Sequence, residues 1–174
     1  MAVTIDATVG GASANSFVTL AEMTTYMESR LNADSFDDAT TDSKNRALCE
    51  ATRELSALRW AGVRADDVQA LSWPRELVVD PDDPSGSTFD DDVIPARIKR
   101  ATYELALGFL KAGTTDIASL DTTLNIKSQT IDVISTEYYE PGNRVKGLSR
   151  YPAVMREIRE LLESQGLTSP VVRG

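Results

Sequence analysis

The sequence predicts a mainly α fold: a small bundle of about four helices, with a short β-hairpin or extended arm before the C-terminal helix. Three observations carry this. Apolar residues recur at helical spacing in four separate stretches. A β-branched, alternating texture is confined to about 122–140. The 174 residues, 41% hydrophobic and 26% charged, are enough to bury one core, and they hold no internal repeat or heptad run. The expected organisation is one helical domain over 1–166, with the β-rich arm inside it. A C-terminal tail over 167–174 has too little apolar surface to fold alone and suits ordering on a partner.

The chain opens with Ala2-Val3-Thr4-Ile5-Asp6, an alternating pattern fit for an edge strand. The loop around Gly10-Gly11 that follows lacks both Gly-Lys-Ser/Thr and the G-x-G-x-x-G spacing, so it forms no phosphate cradle. Thr19-Leu20-Ala21-Glu22 is a capping box. It starts a first helix over about 20–31, with Leu20, Met23, Met27 and Leu31 on one face and Tyr26 beside them. The polar stretch 32–41 reads as a surface loop. A second helix over 43–59, capped by Thr41 or Asp42, has Leu48, Ala51, Leu55 and Leu58 as its stripe. Trp60-Ala61-Gly62 closes it, Gly62 being suited to the left-handed position past a helix end.

Between the second and third helices lies Gln69-Ala70-Leu71-Ser72-Trp73-Pro74-Arg75-Glu76. Pro74 fixes its own φ and biases Trp73 towards extended backbone. A tryptophan can bury roughly 150–250 Å², so this stretch is expected to pin the crossover against the helices. Trp60, Trp73, Pro74 and Pro95 are the expected structural anchors. Leu77-Val78-Val79 suits a short strand. The next thirteen residues, 80–92, contain six aspartates, which raises calcium binding. An EF-hand loop wants glycine sixth and glutamate twelfth, where this chain has Ser85 and Asp91. The pattern fails, and an exposed acidic loop is expected.

Pro95 suits the first turn of a third helix over 95–111, and Asp90-Asp91-Asp92 upstream suits its positive end. Ile94, Ile98, Ala101, Leu105 and Phe109 share a face widened by Leu107 and Leu110, and Gly113 ends the helix. Tyr103, Arg97, Lys99 and Arg100 are expected to face elsewhere. The basic trio is the best local candidate for contact with phosphate or an acidic partner, although a solvated face explains it more simply. Two strands, 123–128 and 130–138, form either a hairpin or one long extended segment, and Glu140-Pro141-Gly142-Asn143 is a turn. Tyr151-Pro152 opens a last helix over 153–165, with Val154, Ile158, Leu161 and Leu162 as its stripe and Gly166 as its stop.

The chain has no histidine, which removes the commonest general base and metal ligand. Its single cysteine, Cys49, falls in a helical pattern next to apolar positions and reads as a buried, inert thiol. The acids sit in loops and on charged faces rather than converging. An enzyme is therefore not expected, nor is a cofactor or metal. Net charge of −9 disfavours nonspecific nucleic-acid binding as the main task, because affinity for the phosphate backbone rests on Lys and Arg. No secretory signal opens the chain, and no apolar run approaches the ~20 residues that span a bilayer. A soluble protein made inside a cell, without a membrane partner, is expected.

Several pieces together resemble the head–tail connector adaptors (head completion proteins) of tailed bacteriophages. They are Asn15-Ser16-Phe17-Val18, Trp60-Ala61-Gly62, the run from Gln69 to Arg75, and Val93-Ile94-Pro95 leading into Ile98-Lys99-Arg100-Ala101-Thr102-Tyr103-Glu104-Leu105-Ala106. The resemblance covers residues 1–110, with a weaker echo in the strand region and at Tyr151-Pro152. The acidic insert at 80–92 and the tail after 166 depart from it. Related chains also carry the label of DnaT-like single-stranded DNA-binding proteins.

The resemblance implies a structural protein of the virion neck, assembled in the host cytoplasm as a dodecameric ring of this chain beneath the portal protein. Such a ring extends the channel for the genomic double-stranded DNA, which passes through the lumen without specific binding. It also docks the stopper or tail terminator protein. The resemblance further implies a portal-facing role for the C-terminal part, on Tyr151, Pro152, Val154, Ile158, Leu161, Leu167, Val171 and Val172. Loop 80–92 would face the next tail component or the lumen. The alternative is a single-stranded DNA-binding replication protein. That needs a basic groove with stacking aromatics, and Tyr103, Tyr138 and Tyr139 are the tyrosines near basic residues.

Overall fold

A computed structural model describes residues 3–113, 128–131, 134–137 and 147–163. The fold is mainly helical, as predicted, with five α-helices and a short antiparallel hairpin among the described residues. The expected N-terminal edge strand is absent. Instead the Val3 N–H donates to Asp42 Oδ1 at 2.9 Å and the Val3 carbonyl accepts from Asn45 Nδ2 at 2.8 Å, so side chains rather than a neighbouring strand satisfy this backbone.

Helix α1, Leu20–Glu28, begins at the predicted capping box: Thr19 Oγ1 accepts from the Glu22 N–H, and Glu22 reaches back to the Thr19 N–H. It ends earlier than the spacing suggests. Ser29 caps the Tyr26 carbonyl, Asn32 takes φ +60°, and Leu31 is left 88% exposed. The expected surface loop over 32–41 holds a one-turn helix, α2 (Asp34–Asp37), with Phe36 in the core and the Lys44 ammonium over its ring at 4.2 Å.

Helix α3, Thr41–Ser56, is capped by Thr40, whose hydroxyl accepts from the Ser43 N–H; neither Thr41 nor Asp42 does this. Leu48, Ala51 and Leu55 are fully buried, while Leu58 lies past the helix end and is partly buried. The crossover is closed by two short antiparallel strands, β1 (Val63–Arg64) and β2 (Arg75–Glu76), with Val63 opposite Glu76. The strand expected at Leu77-Val78-Val79 thus forms two residues earlier. Leu77 takes φ +60° and is exposed, Val78 is buried, and Val79 bridges to Thr88.

Helix α4, Ala96–Ala112, has Pro95 at its N-cap and Gly113 in the left-handed C-cap conformation at φ +66°. It is the central helix, packed by α3 on one side and by α5 (Pro152–Ile158) on another. Burial therefore runs round the helix rather than along one stripe, and Tyr103, expected to face elsewhere, is 6% exposed. A short 3-10 helix, Gly147–Arg150, leads into α5. Helix α5 runs antiparallel to α4, setting the Tyr151 ring edge-on to Phe109 at 6.2 Å in space that a side chain at Gly108 would fill. It ends before the predicted 165, and the chain beyond turns so that Leu161 is buried and Leu162 bridges to Trp60.

The arm is a hairpin. Strands β3 (Ser128–Ile131) and β4 (Ile134–Glu137) pair in the register Ile131↔Ile134, which puts the reversal later than the Ser128-Gln129 position suggested by two strands over 123–128 and 130–138. The remainder of those predicted strands, and the tail over 167–174, lie outside the described residues.

Candidate functional site

The crossover is built around Trp73, whose peptide bond to Pro74 is cis. The indole is 1% exposed and lies edge-on to Trp60 at 5.6 Å and to Phe89 at 6.3 Å. Trp60 Nε1 donates to the Leu55 carbonyl at 2.9 Å, fastening the crossover to the end of α3. The four expected anchors, Trp60, Trp73, Pro74 and Pro95, are all buried.

Two polar side chains that the sequence did not single out hold this stretch in shape. Gln69, 2% exposed, accepts from the Asp66 N–H and donates to the carbonyls of Leu71 and Pro74 at 2.8 and 3.1 Å. The Arg75 guanidinium donates to the carbonyls of Ala61, Gly62, Ser72 and Trp60, at 2.7, 2.7, 3.2 and 3.4 Å. A proline-broken loop offers few backbone partners, so the fork of an arginine and the amide of a glutamine supply them. Desolvation first, and the nearby Arg64 second, push the Arg75 pKa down from its ordinary value. The only sequence signal was two strong side-chain donors flanking Trp-Pro.

The basic trio on α4 is paired with carboxylates of the same chain, with Arg97 largely covered and Lys99 and Arg100 partly solvated. Arg97 makes a forked pair with Asp82, with Nε at 2.8 Å, and reaches Glu160 at 3.1 Å. Lys99 pairs with Glu22 at 2.7 Å, and Arg100 with Glu157 at 2.8 Å. These cations join the acidic loop, α1 and α5 to the central helix. Hydrogen bonding from Arg97 lowers the Asp82 pKa.

Beside them Glu104, 9% exposed, accepts from the Tyr26 hydroxyl at 2.6 Å and from Arg30 at 2.9 Å. Tyr26 and Tyr103 stack with centroids 4.8 Å apart, and burial pushes each phenol up to about 12 from 10.0. A raised folded-state value means that the unfolded chain ionises first. The stability these phenols contribute is therefore whole below pH 10 and is lost between pH 10 and 12. Urea midpoints should fall across that window, and the fall should flatten in Tyr26→Phe combined with Tyr103→Phe.

The residues that the resemblance placed towards a portal divide in two. Val154, Ile158 and Leu161 are 0% exposed, packed in this chain's own core, so they offer no surface to a partner while the fold is intact. The apolar stripe of a short helix marked the core rather than a docking face. Tyr151 is half-buried against Phe109, and Pro152 is exposed at the first turn of α5. Leu167, Val171 and Val172 lie outside the described residues, as do Tyr138 and Tyr139.

Every aromatic side chain among the described residues is buried or half-buried, which leaves no exposed stacking platform there. No group of three or more His, Cys, Asp or Glu able to hold a metal ion occurs among them, and no described helix is long and apolar enough to cross a membrane. Among the described residues, two openings have room for a ligand. One, about 620 Å³, lies between the start of α3 and the end of α4, lined by Ser43, Arg46, Ala47, Phe109 and Leu110. The other, about 580 Å³, lies beside the crossover, lined by Leu58, Arg59, Arg64, Leu71, Arg75 and Glu163.

No curated protein and no solved structure matches the chain. A family model does, over residues 1–174: this protein belongs to the family described as "Putative DnaT-like ssDNA binding protein".

Proposed function

We propose that this member of the family is a head–tail connector adaptor of a tailed bacteriophage. It forms a ring under the portal, extends the DNA channel and docks the stopper or tail, as a structural rather than catalytic protein. The observation that carries this reading is the internal commitment of the side chains a nucleic-acid binder would expose. Arg97, Lys99, Arg100 and Arg30 are each paired with a carboxylate from another part of the same chain, and no described aromatic is exposed. With a net charge of −9, the surface suits a wall that duplex DNA slides past.

Coexpression with the portal protein of the same phage, followed by electron cryomicroscopy, tests the reading. A ring of this chain beneath the portal is expected; no complex in solution and no density for the chain at the virion neck would overturn it. The informative truncation removes 167–174. Removing 151–174 would take Val154, Ile158 and Leu161 out of the core and unfold the protein. The shorter deletion should keep the melting temperature and lose portal binding.

The family description favours a second reading, single-stranded DNA binding. It would rest on Tyr138 and Tyr139 with Arg144 and Lys146. Anisotropy titration with oligo(dT) at about 50 and 200 mM salt discriminates, because genuine backbone binding weakens steeply between them. Saturable binding with that salt dependence supports the second reading, and no binding at either salt removes it.

A further inference from the structure

Among the described residues, three arginines of the crossover region find no carboxylate partner, and they line one cavity. Arg59 is exposed and makes no ion pair among the described residues. Arg64 donates only to the Gln69 carbonyl, and Arg75 only to backbone carbonyls. The cavity of about 580 Å³ between them has a single acidic lining residue, Glu163, and a largely polar lining to which Leu58 and Leu71 add apolar surface. This is unusual in a chain whose other arginines are so largely paired with its own acids.

The complementary feature lies on the same chain. Asp90, Asp91 and Asp92 are consecutive and exposed, and no cation among the described residues pairs with them. The loop that carries them is anchored elsewhere, by Asp82 on Arg97 and by the Val79–Thr88 bridge, and no hydrogen bond or ion pair joins it to the cavity within one chain. Three unpaired carboxylates and a guanidinium-lined cavity on one molecule are complementary in charge.

We infer that the arginine-lined cavity receives the Asp90-Asp91-Asp92 turn of a second copy of this chain. Such a contact joins two different patches, the geometry that closes into a ring when its rotation permits. Pairing of this kind fixes register and partner choice. Single-stranded DNA, the other polyanion to consider, also requires stacking on exposed aromatics, and Trp60, the one aromatic lining the cavity, is 5% exposed. The inference rests on the ring reading above.

The test is sedimentation velocity on the full chain, alone and with portal, comparing wild type with R59E/R64E and with D90K/D91K/D92K. Thermal melts confirm that each variant folds, and R59E alone serves if the double variant does not. Each variant should weaken self-association about tenfold or more, and an equimolar mixture of the two should restore it. Wild type that assembles while both variants assemble equally well overturns this inference and leaves the ring reading standing. Wild type that stays monomeric alone and with portal overturns both. Loss of oligo(dT) binding in R59E/R64E with self-association unchanged overturns it in favour of a nucleic-acid site.

Discussion

Trp73→Ala should be the most damaging single truncation in this protein, lowering stability by about 3–5 kcal/mol. The indole is 1% exposed and holds Trp60 on one side and Phe89 on the other, so its removal opens a cavity where α3, the crossover and the 80–92 loop meet. Its Nε1 is buried with no hydrogen-bond partner among the described residues, so the truncation strands no donor or acceptor elsewhere and the loss is one of packing. In a domain of this size the melting temperature should fall by about 6–20 °C. Trp73→Phe, which keeps an aromatic edge against Trp60, should lose clearly less. If the proposed ring forms, its assembly should fail in Trp73→Ala only as far as the fold fails. A variant as stable as wild type that no longer assembles would make Trp73 an interface residue and contradict its place in the core.

Gly62→Ala should cost about 2–4 kcal/mol, for two separable reasons. Gly62 has φ +68°, where a side chain is strained, and a Cβ there would collide with the Glu76 carbonyl oxygen and lie 2.7 Å from Val78 Cγ2. Gly10 provides the control. Its φ is +67°, yet nothing lies within 4 Å of a Cβ placed on it, so Gly10→Ala reports the backbone strain alone, about 1 kcal/mol. The difference between the two urea-denaturation free energies measures how closely β2 approaches the turn. Equal losses at the two glycines would show that the approach is not tight.

The long helices were legible because their periodicity is strong and their ends are marked by Thr19, Pro95 and Gly113. What misled was local continuation of a pattern. Leu31 extends the spacing of the first helix but is solvent-exposed, while Phe36, inside a polar stretch, fills the core. Tyr103 was misplaced because a helix covered by neighbours on several sides has no polar face to assign it to. Three of the eight portal-facing candidates were misplaced on similar ground, since Val154, Ile158 and Leu161 look alike in sequence whether they meet a partner or their own α4.

The basic trio was harder still. Its partners lie up to 77 residues away in sequence, as with Lys99 and Glu22, and no local pattern announces such a pair. Where the reading succeeded, at Trp73-Pro74, it did so because sterics act locally: a stiff dipeptide with a large apolar side chain has few places to go.

The hydrogen bonds of Arg75 bear on how this chain is compared with others. Its guanidinium serves the carbonyls of Trp60, Ala61, Gly62 and Ser72, so the Trp-Pro-Arg triplet and Trp60-Ala61-Gly62 are one unit written in two places. Chains that carry both pieces should share the geometry of this crossover whatever they bind, and the signature travels with the scaffold. Differences in what such proteins meet should then be sought in the segments the knot leaves free to vary, here the acidic loop and the rim around Arg59 and Arg64.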